Sequence, residues 1–197
     1  MSGERVGGAD VPGPEWWAQD PEHWELLRFE AVSTGDGPTG DRAREDRAAV
    51  LDLLAMAPGP VGHGFARFLL EQEILFHEDS WGFHHTIEVA ALLVAEHRRP
   101  EDVWLLGKAV ATSFDTWCGL PHRLLLAAGG SAGTLAHVAG SDHERREHLL
   151  ELLRDMPATS EDEVGAFVAG RRRYYAEILR ELATDPAPDA APDADAG

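Results

Sequence analysis

Apolar residues recur along most of this chain at the three- and four-residue intervals typical of amphipathic α-helices. The clearest stripe occupies positions i, i+4, i+7, i+8 and i+11, namely Phe83, Ile87, Ala90, Ala91 and Val94. The second half of this segment is apolar nearly all round, so we expect a helix at the centre of the core. No stretch alternates apolar and polar residues with β-branched enrichment, and the sequence therefore predicts no strands.

Capping residues and prolines divide the apolar pattern into successive helices. The main helices are predicted to begin near residues 42, 61, 82, 101 and 120, an even spacing that stacked helical hairpins produce. Two capping boxes, Ser141–Glu144 and Ser160–Glu163, mark the last two helices. The sequence thus predicts an all-α fold of about eight helices. They could form stacked antiparallel hairpins of the α-solenoid or HEAT-like kind, or an irregular helical bundle.

The composition changes at both ends of the chain. Residues 1–14 are rich in glycine and proline, and residues 184–197 repeat proline, alanine and aspartate without a large apolar side chain. Such segments cannot recover their ordering entropy by burial. We therefore predict a disordered N-terminus, a single helical domain over residues 15–183 and a disordered acidic tail. The stretch Ser33–Asp41 is predicted to be a flexible connection.

The charge balance restricts the partners that the chain can have. The formal net charge is -18 over 197 residues, of which 44% are hydrophobic. Such an acidic surface repels phosphate backbones and anionic lipids. We expect a protein or a basic peptide as partner, rather than nucleic acid, and no membrane. The local exception is Arg171-Arg172-Arg173, which we interpret as a solvated helix face because adjacent helical residues point in different directions.

Three features of the sequence indicate the cellular compartment and the kind of organism. The N-terminal sequence lacks the apolar segment of a secretory signal. Cys118 is the only cysteine, so no internal disulfide can form, which suits a reducing compartment. Lys108 is the only lysine and asparagine is absent, a bias typical of GC-rich bacterial genomes. We therefore expect a cytoplasmic bacterial protein.

The segment Glu71–His122 contains five histidines, the only cysteine and three tryptophans among long apolar runs. Four potential metal ligands in it are spaced 4, 7 and 4 residues apart: Glu73, His77, His84 and Glu88. On one continuous helix they would share a face, as ligands of a divalent metal would. The intervening HEDSWG, however, is typical of one helix end and a new start, so we predict neither a metal site nor a cofactor.

Two smaller groups could form a binding or catalytic site. His84, His85 and Glu88 are predicted on a face of the central helix that a stacked array leaves open, and Trp81 precedes them. They could line a groove for a small molecule or a peptide, or be solvated polar residues. Cys118 with His122 could form a nucleophile pair, although a buried structural cysteine is the more common case.

Two hypotheses of function follow. The first is an acidic protein- or peptide-interaction module. The alternative is a small enzyme or small-molecule binder with a pocket lined by His, Asp and Trp, which could depend on a metal. The pocket of the alternative would use the loops of consecutive helices, which can meet at one end of a hairpin stack, whereas the interaction module would use the acidic surface or a groove. The candidate binding residues are His77, Asp79, Trp81, His84, His85, Glu88, Asp115, Trp117 and His122.

Overall fold

The computed structural model describes residues 12–33 and 40–184. Within them the chain forms α1 (Pro14–Gln19), α2 (Arg44–Met56), α3 (His63–Asp79), α4 (His85–Ala95), α5 (Val103–Val110), α6 (Phe114–Gly119), α7 (Gly130–Ala139), α8 (Arg146–Asp155) and α9 (Glu161–Thr184). Three 3₁₀ helices lie between them, Pro21–Leu27, Pro100–Asp102 and His122–Leu126. The predicted all-α fold is confirmed. In the described part of the chain, no helix combines the length and the apolarity that a bilayer crossing requires.

A short antiparallel ribbon precedes α2. Its strands are β1 (Ala31–Val32) and β2 (Gly40–Asp41), so the prediction of no strands is wrong at this point. The Asp41 side chain accounts for the ribbon, because its Oδ1 accepts the backbone N–H groups of Glu30 and Ala43 at 3.0 and 3.1 Å. One carboxylate thus joins the two sides of the connection, which an alternation pattern could not indicate.

The predicted disordered ends fall mainly outside the described residues, as do residues 34–39 of the predicted flexible connection. Near the start of the described residues, Trp17 Nε1 donates to the carbonyl oxygen of Pro12 at 2.9 Å. The Trp17 ring is fully buried and stacks on Phe65 with ring centroids 5.7 Å apart. At the other end, α9 continues to Thr184.

The α4 helix lies at the centre of the core, as its apolar sequence predicts. Every residue from Thr86 to Ala95 is buried, and α2, α3 and α9 all pack against the helix. Ile87 and Val94 have no exposed surface, and full burial of such a side chain contributes about 1.5–3 kcal/mol. The strongest apolar run in the sequence is therefore the framework on which the neighbouring helices assemble.

The α9 helix returns to the start of the helical body. It packs against α2, α4 and α7, and Arg172 Nε donates to the carbonyl oxygen of Ala55 at 2.8 Å. Arg172 Nη2 also donates to the carbonyl oxygen of Leu54, so this guanidinium caps the negative end of α2. In an open solenoid each repeat contacts only its neighbours. The contact between α2 and α9 therefore favours the irregular bundle over stacked hairpins.

Candidate functional site: a buried charge network and an exposed aromatic surface

His77 is enclosed at the end of α3 and both of its ring nitrogens have partners. Nδ1 lies 2.8 Å from the carbonyl oxygen of Glu73, and Nε2 accepts the backbone N–H of His84 at 3.3 Å. Because a carbonyl oxygen can only accept, the proton resides on Nδ1 and the ring is neutral. Burial lowers the pKa of His77, which keeps this state. This predicted binding residue has no ring nitrogen left for a ligand.

A buried charge network lies beside His77 and is built on Arg47 of α2. Arg47 Nε donates to Glu73 Oε1, and Nη2 donates to Asp41 Oδ2, both at 2.6 Å. Thr86 Oγ1 donates to the second Glu73 oxygen at 2.5 Å. The side chains of Arg47 and Asp41 are completely buried and that of Glu73 is 2% exposed. Opposite charges and hydrogen bonds compensate for this burial, so the network joins α2, α3 and α4.

Glu88 does not lie on an open face, contrary to the expectation from helical projection. Its Oε1 accepts Arg171 Nε at 2.7 Å and its Oε2 accepts the Tyr175 hydroxyl at 2.6 Å. Both partners belong to α9, which covers this side of α4. Burial and the hydrogen bond to Glu88 raise the pKa of Tyr175, so the phenol stays protonated. Arg171 and Arg172 therefore serve internal contacts, and the predicted solvated arginine face is limited to the exposed Arg173.

His84 and His85 both face α2 but have different electrostatic environments. Burial and the neighbouring Arg44 guanidinium, 3.2 Å from His84 Nδ1, lower the pKa of His84. By contrast, the hydrogen bond of His85 Nε2 to Asp52, at 3.2 Å, raises the pKa of His85. The four spaced ligands do not converge on one point. In the part of the chain that the structure describes, no group of three or more His, Cys, Asp or Glu side chains is placed to hold a metal ion.

Large aromatic side chains are exposed on the α3–α4 connection and on α6, which the Gly82–Asp115 hydrogen bond joins. Trp81 is 85% exposed, Phe114 is 80% exposed and Trp117 is 39% exposed, and we call these three the aromatic surface. Phe114 and Trp117 are three residues apart on α6 and therefore share a face. Sequence reasoning included the two tryptophans and missed Phe114. The signal available for it was the Ser113 cap, which places Phe114 in the first turn of a short helix.

The backbone beneath the aromatic surface is fixed by specific contacts. The N–H of Gly82 donates to Asp115 Oδ2 at 2.9 Å, which ties the residue after Trp81 to the residue after Phe114. Gly82 has a φ of 88°, a left-handed conformation that glycine adopts without strain. A Cβ on Gly119 would lie 2.4 Å from the ring of Phe83, so the glycine allows α6 to pack closely against the connection. These aromatic rings are thus carried by an ordered backbone.

The remaining predicted residues lie beside this surface. Asp79 is exposed at the end of α3. His122 Nε2 lies 2.9 Å from the carbonyl oxygen of Trp117, and the two rings are 4.8 Å apart. Cys118 is exposed rather than buried, so its expected role as a small core residue is wrong, and the His122 nitrogen is directed to a carbonyl group. This arrangement supports the shape of the surface and gives no sign of an activated thiol.

The structure thus defines an all-α protein in which four of the predicted residues, Trp81, Asp115, Trp117 and His122, come together at one end. His77, His84, His85 and Glu88 instead contact the packed interior or α2. The chain matches no family model, no curated protein and no solved structure in the corresponding comparisons. The function therefore has to be argued from the physical character of its own surfaces.

Proposed function

We propose that this protein is an interaction module that binds a basic peptide segment of a partner protein through the aromatic surface. The observation that carries the proposal is the exposure of Trp81 and Phe114, at 85% and 80%, on a backbone held by the Gly82–Asp115 hydrogen bond. Single exposed apolar residues are common, but grouped aromatic residues are characteristic of binding surfaces. Because the backbone that carries these rings is already held in place, less conformational entropy is lost on binding.

The area of the rings is sufficient for recognition only if they act together. One aromatic side chain buries about 150–250 Å², equivalent to roughly 4–6 kcal/mol at about 25 cal/mol per Å². Association costs an estimated 4–15 kcal/mol in lost translational and rotational freedom. A single ring would therefore barely offset the cost, whereas Trp81, Phe114 and the exposed part of Trp117 together offer more than twice the area of one ring. The partner should accordingly contribute at least one large apolar side chain that contacts several rings.

The charge around the rings favours a basic partner. Asp79 and Asp115 flank Trp81 and Phe114, Glu78 at the end of α3 is partly balanced by Lys108 at 3.3 Å, and the whole chain carries a formal net charge of -18. Lysine or arginine residues beside the apolar anchor would be attracted to this rim and would speed association. Because the rim is solvent-exposed, salt should screen this attraction. At physiological salt the screening is strong for charges farther apart than a Debye length of about 8–10 Å.

Three synthetic fluorescent peptides of equal length test the proposal by anisotropy. The first is amphipathic and contains lysine and leucine, the second replaces leucine with serine, and the third replaces lysine with glutamate. We expect saturable binding of the first peptide and at least about tenfold weaker binding of the other two. Trp81→Ala or Phe114→Ala should weaken binding of the first peptide about tenfold or more. Leu182→Ala is the matched control, because Leu182 is also an exposed apolar residue, at 68%, on α9.

Several results would contradict the proposal. Equal binding of the lysine–serine peptide would mean that charge alone attracts the ligand. Equal effects of Trp81→Ala and Leu182→Ala would mean that the aromatic surface has no special role. If sedimentation shows a dimer that Trp81→Ala dissociates while peptide binding is absent, the occupant is a second copy of this chain.

The alternative of a small enzyme or ligand binder that uses the predicted polar residues has less support. Both ring nitrogens of His77 and both carboxylate oxygens of Glu88 are engaged within the protein. A substrate would have to displace these buried partners, and each group left unpaired would cost about 1–3 kcal/mol.

A further inference from the structure

A small, mostly enclosed cavity lies between the end of α4, the start of α5, the 3₁₀ helix His122–Leu126 and α7. Its volume is about 150 Å³. Most of its wall is apolar, with Val94, Val103, Leu106 and Leu125 among the lining residues. None of the residues of the aromatic surface lines it, so the cavity is a separate feature that does not depend on the function proposed above.

Two polar groups of α7 distinguish this cavity from a simple packing defect. Thr134 and His137 both line it, and their three-residue separation places them on one face of the helix. Thr134 is 4% exposed, and among the described residues neither Thr134 Oγ1 nor His137 Nε2 has a hydrogen-bond partner. Buried polar atoms are nearly always satisfied in folded proteins. These two therefore indicate a partner outside the described residues.

The one buried carboxylate in the wall is already satisfied from another direction. Asp102 is 1% exposed, and its Oδ2 lies 2.7 Å from His63 Nε2. Its Oδ1 accepts a hydrogen bond from Arg67. Asp102 is therefore neutralised by residues of α3. Arg99, the basic residue of the wall, pairs with Glu101 at 3.8 Å, so both charged residues of the wall already have a counter-charge. A charged ligand would lose its hydration without gaining a counter-charge, so the occupant must be neutral.

We infer that the cavity binds a small neutral molecule of about the size of phenol, with an apolar body and one hydroxyl group. A cavity of about 150 Å³ accommodates a benzene ring, which matches the apolar wall. A benzene molecule would leave Thr134 and His137 unpaired, whereas a hydroxyl group can accept from the Thr134 hydroxyl and donate to the His137 nitrogen. The volume of the cavity and its two unpaired polar groups thus favour a hydroxylated ligand over a purely apolar one.

Phenol and benzene are the matched probes for this site. They are titrated into the full-length protein, and binding is followed by calorimetry and by the amide resonances of α7. Phenol should bind saturably and about threefold to tenfold more tightly than benzene, as one to two additional hydrogen bonds imply. Thr134→Val preserves the side-chain shape but removes the hydroxyl, so it should reduce the preference for phenol. Thr184→Val, at the end of α9, is the control and should leave the preference unchanged.

The outcomes separate the possible occupants of the cavity. Equal binding of phenol and benzene to the wild type would show an apolar cavity without hydroxyl recognition, and would overturn the inference. Failure of both probes to bind up to their solubility limits would show a cavity that holds water only, and would also overturn it. A preference for phenol that persists in Thr134→Val and disappears in Thr184→Val would place the ligand elsewhere. Loss of the preference in Thr134→Val alone supports the inference.

Discussion

Two neighbouring regions of this protein reverse the usual distribution of polar and apolar side chains. The charge network on Arg47 lies inside the bundle, while the aromatic surface lies outside it. Glu73 and Trp81 are only eight residues apart in the sequence, yet Glu73 is 1% exposed and Trp81 is 85% exposed. The difference follows from the available partners. Glu73 meets a guanidinium and a hydroxyl group within the chain, whereas the Trp81 ring extends into solvent.

The comparison indicates that the two regions have different purposes. The charge network is complete within the chain, and its hydrogen bonds join the three consecutive helices α2, α3 and α4. Such networks can determine which packing arrangement is adopted, even where they add little net stability. The aromatic surface, in contrast, gains nothing from being exposed. Substitutions in the two regions should therefore affect different properties: folding for the network, and binding for the surface.

The largest effect is expected for Glu73→Ala. This substitution leaves the buried Arg47 Nε and Thr86 hydroxyl without their acceptor, and breaking a buried ion pair costs about 3–5 kcal/mol. Denaturant unfolding of the two proteins measures the loss. Glu25→Ala is the control, because Glu25 pairs with Arg28 on an exposed part of the surface, and the midpoint should remain nearly unchanged. Similar midpoints for the two variants would mean that the network is open to solvent.

Glu88→Ala should have the next largest effect. It removes the acceptor of both Arg171 and Tyr175 on α9. We expect a loss of about 1–3 kcal/mol for the buried Tyr175 hydroxyl left unpaired, because the Arg171 side chain is 29% exposed and can turn to water. Tyr175→Phe tests one of these bonds alone and should cost less. Thermal and denaturant unfolding measure both. If Glu88→Ala changes the free energy of unfolding by no more than about 0.5 kcal/mol, α9 does not cover α4. Glu88 would then lie on an exposed face of α4.

The pH dependence of stability provides a smaller and more selective test. Burial lowers the pKa of His77 from its ordinary value of 6.5, so the unfolded chain binds a proton there that the folded protein does not. Stability is therefore present above about pH 6.5 and is lost as the pH falls towards the lowered pKa, by at most about 1.4 kcal/mol per pH unit. His77→Gln should make this acid loss shallower when unfolding is compared at about pH 5.5 and about pH 8.

His85 should show the opposite sign. Its hydrogen bond to Asp52 raises its pKa, so its stabilising contribution is complete below the ordinary value of 6.5 and is lost as the pH rises through the raised pKa. His85→Gln should therefore destabilise the protein at about pH 5.5 more than at about pH 8. A steeper acid loss in this variant, beside a shallower one in His77→Gln, is the expected pair of results. The same direction of change in both would contradict the assignment of their environments.

The sequence was sufficient for the local features and insufficient for the long-range pairs. The central position of α4 followed from its all-round apolarity, and the exposed Trp81 was among the candidate residues. The burial of Glu88 could not be predicted, because its partner Arg171 lies 83 residues further along the chain. Helical projection gives the direction of a side chain but does not say which helix will cover it. The Arg47–Glu73 pair, 26 residues apart, was missed for the same reason.

The smallest effect on stability is expected at the aromatic surface itself. Because Trp81 and Phe114 are largely exposed, Trp81→Ala and Phe114→Ala should each change the free energy of unfolding by no more than about 0.5 kcal/mol, in the range of Leu182→Ala. Asp115→Ala should cost more, since it removes the acceptor of the Gly82 amide and thus the hydrogen bond that joins the α3–α4 connection to α6. A loss above about 2 kcal/mol for Trp81→Ala would be typical of a core truncation. The Trp81 ring would then be packed within the protein, and the contrast between a self-contained network and a surface that requires a partner would no longer hold.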